Sequence, residues 1–222
     1  MSNQNEHLKD LQEIRSIMER SSKFISLSGL SGVFAGIVAL LGALAVYIYQ
    51  HEFFFSRYQN QGVLLRDDLI RGTELNNFII FLFTDAIIVL LLAIGFGIFF
   101  TTRNARKKGL PYFDATAKRM LANLFLPLVT GGLFCIALLF HHLVYLIAPS
   151  TLIFYGLALV NASKFTLNDI KYLGYCEIAL GLLAMVLVGY GLLFWAFGFG
   201  VLHIVYGSAM YFKYERATSK SE

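Results

Sequence analysis

Apolar stretches too long for a water-soluble core alternate, along this chain, with short segments that hold nearly all of its charge. Residues 172–213 form one such stretch of about 42 positions, enough for two membrane crossings at about 20 residues each. Of 222 residues, 57% are hydrophobic and 14% charged, against about 25% charged in a typical soluble domain. Among the acids, only Asp85 and Glu177 fall inside apolar runs. The pattern predicts an all-α polytopic membrane protein, a bundle of six transmembrane helices.

The basic stretch at residues 102–119 sets the expected orientation. It carries Arg103, Arg106, Lys107, Lys108, Lys118 and Arg119 against Asp114 alone. Short loops rich in Lys and Arg stay on the cytoplasmic side. Six spans at 24–49, 76–101, 120–147, 150–165, 172–190 and 193–212 then place 15 of the 18 bases on that side, with both termini. The expected location is a bacterial inner membrane. A five-span arrangement would put the basic loop or the C-terminal collar (Tyr211, Lys213, Tyr214, Arg216) outside. Residues 1–23 read as an amphipathic helix, Leu8, Leu11, Ile14, Ile17 and Met18 recurring at helical spacing. It lies on the inner membrane surface or docks a cytoplasmic protein. Residues 214–222 form a cytoplasmic tail.

Local detail adds to the spans. In span 1, Ser28, Gly32 and Gly36 form one row of small residues, and Ala35, Ala39 and Ala43 the next. Such rows let helix backbones approach closely, within one chain or between copies in a homo-oligomer. Pro127 predicts a kink near Asn123, with Asn123 and Thr130 placed to satisfy freed backbone groups. Pro149 marks a tight turn before a short fourth span, and Ser163 or Asn168 is a candidate cap for the helix after it. AIGFGIFF at 93–100 resembles AFGFGVLH at 196–203, but the expected depths disagree and no inverted repeat is visible.

Ionisable residues inside the bilayer are costly and carry a functional hypothesis. Asp85 lies about 13 Å below the expected outer boundary, counting 1.5 Å per residue. His203 counts to the same depth from the outer end of span 6. His141 and His142 lie slightly above, about 100° apart around their helix, so one of them faces any given partner. Asp85, His203 and one of the two histidines define a candidate ion or proton site, or a buried hydrogen bond that fixes helix packing. Glu177 near the inner end of span 5 pairs with Lys164, or marks the second end of a polar path. A proton-linked transporter or small channel fits these residues; a membrane sensor or scaffold that recruits a cytoplasmic partner is the alternative.

Other chemistry has less support. No HExxH or comparable ligand spacing points to a metal hydrolase. Haem could be held between His203 and His141 or His142. Cys135 and Cys176 sit at different expected depths, against a thiol redox pair. The net charge of +4 resides in loops, without a nucleic-acid motif.

Overall fold

The computed structural model describes residue 24 and residues 27–59, 67–109, 113–141 and 143–216, apart from the side chains of 52–75. The amphipathic helix expected over 1–23, His142 and the tail from 217 onward lie outside the described residues. Among the described residues all regular structure is helical: α1 (Gly29–Gln59), α2 (Asp67–Lys107), α3 (Ala115–Phe140), α4 (Ile147–Ala162), α5 (Ile170–Val186) and α6 (Gly191–Glu215). Helix α6 includes two π-helical segments, Ala196–Leu202 and Tyr211–Glu215. Among the described residues, five regions are long and apolar enough to cross a membrane: Gly29–His51, Asn76–Lys107, Ala115–Phe140, Val144–Phe165 and Gly191–Glu215. Helix α5 has 17 residues, at the short limit for a crossing. Helices satisfy their own backbone groups, which hydrocarbon cannot do. The chain is built as an integral membrane protein.

Several helix ends fall away from the charge boundaries that marked the expected spans. Helix α2 runs on through the first third of the basic stretch, because Ala, Arg and Lys favour helix and Arg106 and Lys107 suit the negative end of its dipole. It gives way at Gly109, whose φ of +62° suits a residue without a Cβ. The connection expected at 50–75 is partly helical too, since α1 continues to Gln59 and α2 starts at Asp67. Helix α3 starts at Ala115, where Asp114 Oδ1 accepts the Ala117 N–H at 2.7 Å. Pro149 is not in a turn. It occupies the first turn of α4, where its missing N–H needs no intrahelical partner. With the 3₁₀ turns Val144–Leu146 and Ser163–Phe165 on either side, the fourth region reaches 22 residues. No side chain caps α5, and the Ser163 hydroxyl donates back to the Val160 carbonyl at 2.7 Å.

The chain divides into two compact units, one of Met1–Leu27 with Thr101–Val188, the other of Ser28–Phe100 with Gly189–Glu222. In the first, α4 and α5 run antiparallel with their backbones nearly touching. A Cβ on Gly156 would stand 2.6 Å from the Gly174 carbonyl oxygen, and one on Gly174 2.7 Å from that of Gly156. Two turns further along α5, Gly181 is pressed against Ile153 and the Pro149 carbonyl. Phe154 fills the gap left by Gly131 on α3 and lies 5.5 Å from the Phe134 ring. At one end, Phe24, Ala117, Met120 and Ala162 form a buried cluster. Phe24 is fixed there by its N–H to the Phe165 carbonyl (2.8 Å) and by Thr166 Oγ1 donating to its own carbonyl (2.8 Å).

In the second unit, α1 and α6 are antiparallel. Gly29 and Gly32 meet Gly207, and Gly36 meets Gly200. The Ser28–Gly32–Gly36 row is thus taken up within the chain. Helix α2 packs on α1 through rings, Phe34 on Phe100 at 4.8 Å and Tyr49 on Phe81 at 4.3 Å. The first turn of α1 is capped from the far end of α6. Glu215 accepts the Gly29 N–H at 2.6 Å and the Ser28 hydroxyl at 3.1 Å. A carboxylate at a helix N-terminus satisfies an orphan donor and complements the dipole. Glu215→Ala is expected to cost about 1–2 kcal/mol. The check is hydrogen exchange at the Gly29 amide, which should speed up about tenfold, at 1.4 kcal/mol per decade.

Candidate functional site

The first unit holds an ionisable group deep among its helices. Glu177 lies on α5 between Gly174 and Gly181, the two glycines that bring α4 close, and is 0% exposed. It is the eighth of the 17 residues of α5, so it sits near the middle of that helix. The sequence placed it nearer the inner end, because it counted from an expected span start of 172 and ended the span at 190. The phenol of Tyr155 on α4 lies within electrostatic range of it. Lys164, the expected ion-pair partner, is exposed, and its Nζ donates to Asn161 Oδ1 at 3.3 Å. Ser150, also on α4, is buried, and its hydroxyl has no hydrogen-bond partner among the described residues.

Asp85 belongs to the second unit. Its carboxylate fills the space beside Gly42 of α1, where a Cβ would stand 3.1 Å from Oδ2. Val89, one turn on, crowds the same glycine. Asp85 is half-buried. Much of α2 around it, including Phe83, Ile87 and Ile88, is exposed.

His203 is buried at the end of the first π segment of α6. Its Nδ1 lies 3.0 Å from the Gly198 carbonyl oxygen. A carbonyl can only accept, so Nδ1 carries the proton and Nε2 is the remaining lone pair of the neutral ring. The ring stacks on Phe199 at 5.9 Å, and Phe199 lies 5.0 Å from Trp195, giving a ladder of rings up one face of α6. π-Helical turns are frequent at functional sites. The likeness of 93–100 to 196–203 ends here, since the first copy is regular α-helix with open space around Gly95 and Gly97.

Helix α1 serves as a ruler for Asp85 and His203. Asp85 meets it at Gly42, whereas the His203 carbonyl meets it at Gly32. Ten residues of helix are about 15 Å, so the two do not share a level. Equal counts from the span ends mislead because the helices are unequal: α1 continues to Gln59 and α2 begins at Asp67, nine residues before the expected start. His141 is the exposed C-cap of α3 and not a residue within the span, because α3 starts early and ends at Phe140. Cys135 and Cys176 are free thiols. Among the described residues, no three His, Cys, Asp or Glu side chains converge as a metal site would require.

Two contributors escaped the sequence reading. Tyr155 is one of many aromatic residues in apolar surroundings and carries no local signal. Glu215 was hidden inside the basic collar; an acid at the end of a last span antiparallel to the first was the available sign. No protein family, curated protein or solved structure matches the chain.

Proposed function

We propose that the chain is a small proton-linked transporter in which Glu177 carries the proton. The observation behind this reading is a carboxyl group with no exposed surface near the middle of an apolar helix of 17 residues, at the short limit for a crossing. Ionisable groups at that depth are costly and recur in proton relays and substrate paths. Tyr155 beside it is a second group able to give or accept a hydrogen bond. Glycines on both sides keep the helix surface around the carboxyl thin, so small helix displacements would open it. Asp85 of the second unit, half-buried between α1 and α2, is a separate carboxyl within an apolar helix. His203 is a third titratable group, held in one tautomer by Gly198.

Liposomes holding the full chain and an entrapped pH dye provide the test. With a pH difference imposed, and a small-molecule cell extract added on the opposite side, the parent is expected to collapse the difference. Glu177→Gln, nearly identical in shape, is expected to slow collapse at least tenfold, towards the rate of empty vesicles. Parent vesicles that hold the difference with and without extract would remove the proposal, as would an unaffected Glu177→Gln.

A further inference from the structure

The first unit gathers cations at one end in an arrangement that its own electrostatics disfavours. The cluster of Phe24, Ala117, Met120 and Ala162 draws the start of α3 and the end of α4 together. Asn104, near the end of α2, joins them by donating to the Leu27 carbonyl at 3.3 Å. Around this end Arg103, Arg106, Lys107, Lys118 and Arg119 are exposed. Arg106 and Lys107 complement the dipole of α2. Lys118 and Arg119 do the reverse: they follow the first turn of α3, next to its positive end, and that turn contains no acid. Lys171 stands second in α5, whose first turn holds no acid, with Asp169 at the N-cap before it. Asp114 is committed to capping the Ala117 N–H.

Rings fix the depth of these charges. Lys118 Nζ lies 5.4 Å from the centre of Phe113, and Lys171 Nζ 5.0 Å from that of Tyr172. Both rings are half or more exposed, at 57% and 50%. Exposed rings with cations over them belong at the boundary between headgroups and acyl chains. A ligand that suits both must offer an anion at the level of the charges and hydrocarbon just below it. A soluble acidic protein or a nucleic acid offers only the first.

We propose that this rim selectively binds anionic phospholipid, with phosphodiester headgroups seated among Arg106, Lys107, Lys118, Arg119 and Lys171. The test uses the full chain in neutral detergent. It is titrated with phosphatidylglycerol or phosphatidylcholine of the same acyl chains, and bound lipid is counted by native mass spectrometry. Phosphatidylglycerol is expected to be retained preferentially and to raise the thermal midpoint, where phosphatidylcholine, glycerol phosphate and inorganic phosphate do not. Each lost base near a lipid surface is worth about fivefold, so Lys118→Gln with Arg119→Gln should weaken retention about 25-fold. If that pair does not fold, judged by circular dichroism, Arg106→Gln with Lys107→Gln replaces it. Equal retention of the two lipids, a free phosphate ion as effective as the lipid, or undiminished retention by a folded double variant would each overturn the proposal.

Discussion

Alanine at Gly156 or Gly174 is expected to destabilise the chain by about 1–3 kcal/mol, while alanine at Gly95 should stabilise it by up to about 1 kcal/mol. All three changes add the same methyl group to a helix. At Gly156 and Gly174 the new Cβ would meet carbonyl oxygens at 2.6 and 2.7 Å, with backbone on both sides that no rotamer change can move away. The helices would have to separate, loosening the packing that seals Glu177. Association in lipid rests on such close packing, since no hydrophobic force drives apolar helices together there. At Gly95 nothing lies within 4 Å, so the gain in helix propensity stands alone. Midpoints from thermal or dodecyl-sulfate unfolding in neutral detergent check the two signs. Leucine at Gly174 should enlarge the loss beyond the alanine value. If Gly156→Ala matched Gly95→Ala, the contact between α4 and α5 would be wrong, and with it the enclosure around Glu177.

The transmembrane class of the fold was open to reading because hydropathy is a property of single stretches. An apolar run between charged segments has few other solutions in lipid or water, and Asp85 and Glu177 stood out as the acids inside such runs. Which helices are neighbours is not local, and there the reading stopped. The Ser28–Gly32–Gly36 row announced a close-packed face, yet nothing in span 1 named α6 as the helix that fills it. Gly156, Gly174 and Gly181 carried the same signal and went unread, since each sits among large residues rather than in a visible row. Depth failed for Asp85 and His203 because charge marks where a membrane surface lies, not where a helix ends. α2 passes well through its basic residues before Gly109 stops it. The π segments of α6 leave no trace in composition: AFGFGVLH is π-helical where the similar AIGFGIFF is not.

Asn161→Ala is expected to cost about 1–3 kcal/mol, and most of that loss should vanish when Pro127 is replaced by alanine. Pro127 lies inside α3 and has no N–H, so the carbonyl of Asn123, four residues earlier, loses its intrahelical donor. Nevertheless α3 continues unbroken to Phe140. Asn161 of α4 supplies the missing bond, its Nδ2 donating to the Asn123 carbonyl at 3.0 Å. The Asn123 side chain bonds elsewhere, to the Arg119 carbonyl at 2.8 Å, and Thr130 Oγ1 to that of Leu126 at 2.9 Å, so neither performs the repair expected of it. Lys164 holds Asn161 in place through its Oδ1. Removing Asn161 leaves a carbonyl unpaired within a packed helix contact, the expensive half of hydrogen-bond energetics. Pro127→Ala restores the N–H of residue 127, which then competes for the same carbonyl. The double-mutant cycle should therefore show a coupling of at least about 1 kcal/mol, with the Asn161 loss smaller in the alanine background. Equal losses with and without Pro127 would mean that Asn161 acts through some other contact, and the defect in α3 would need a different remedy.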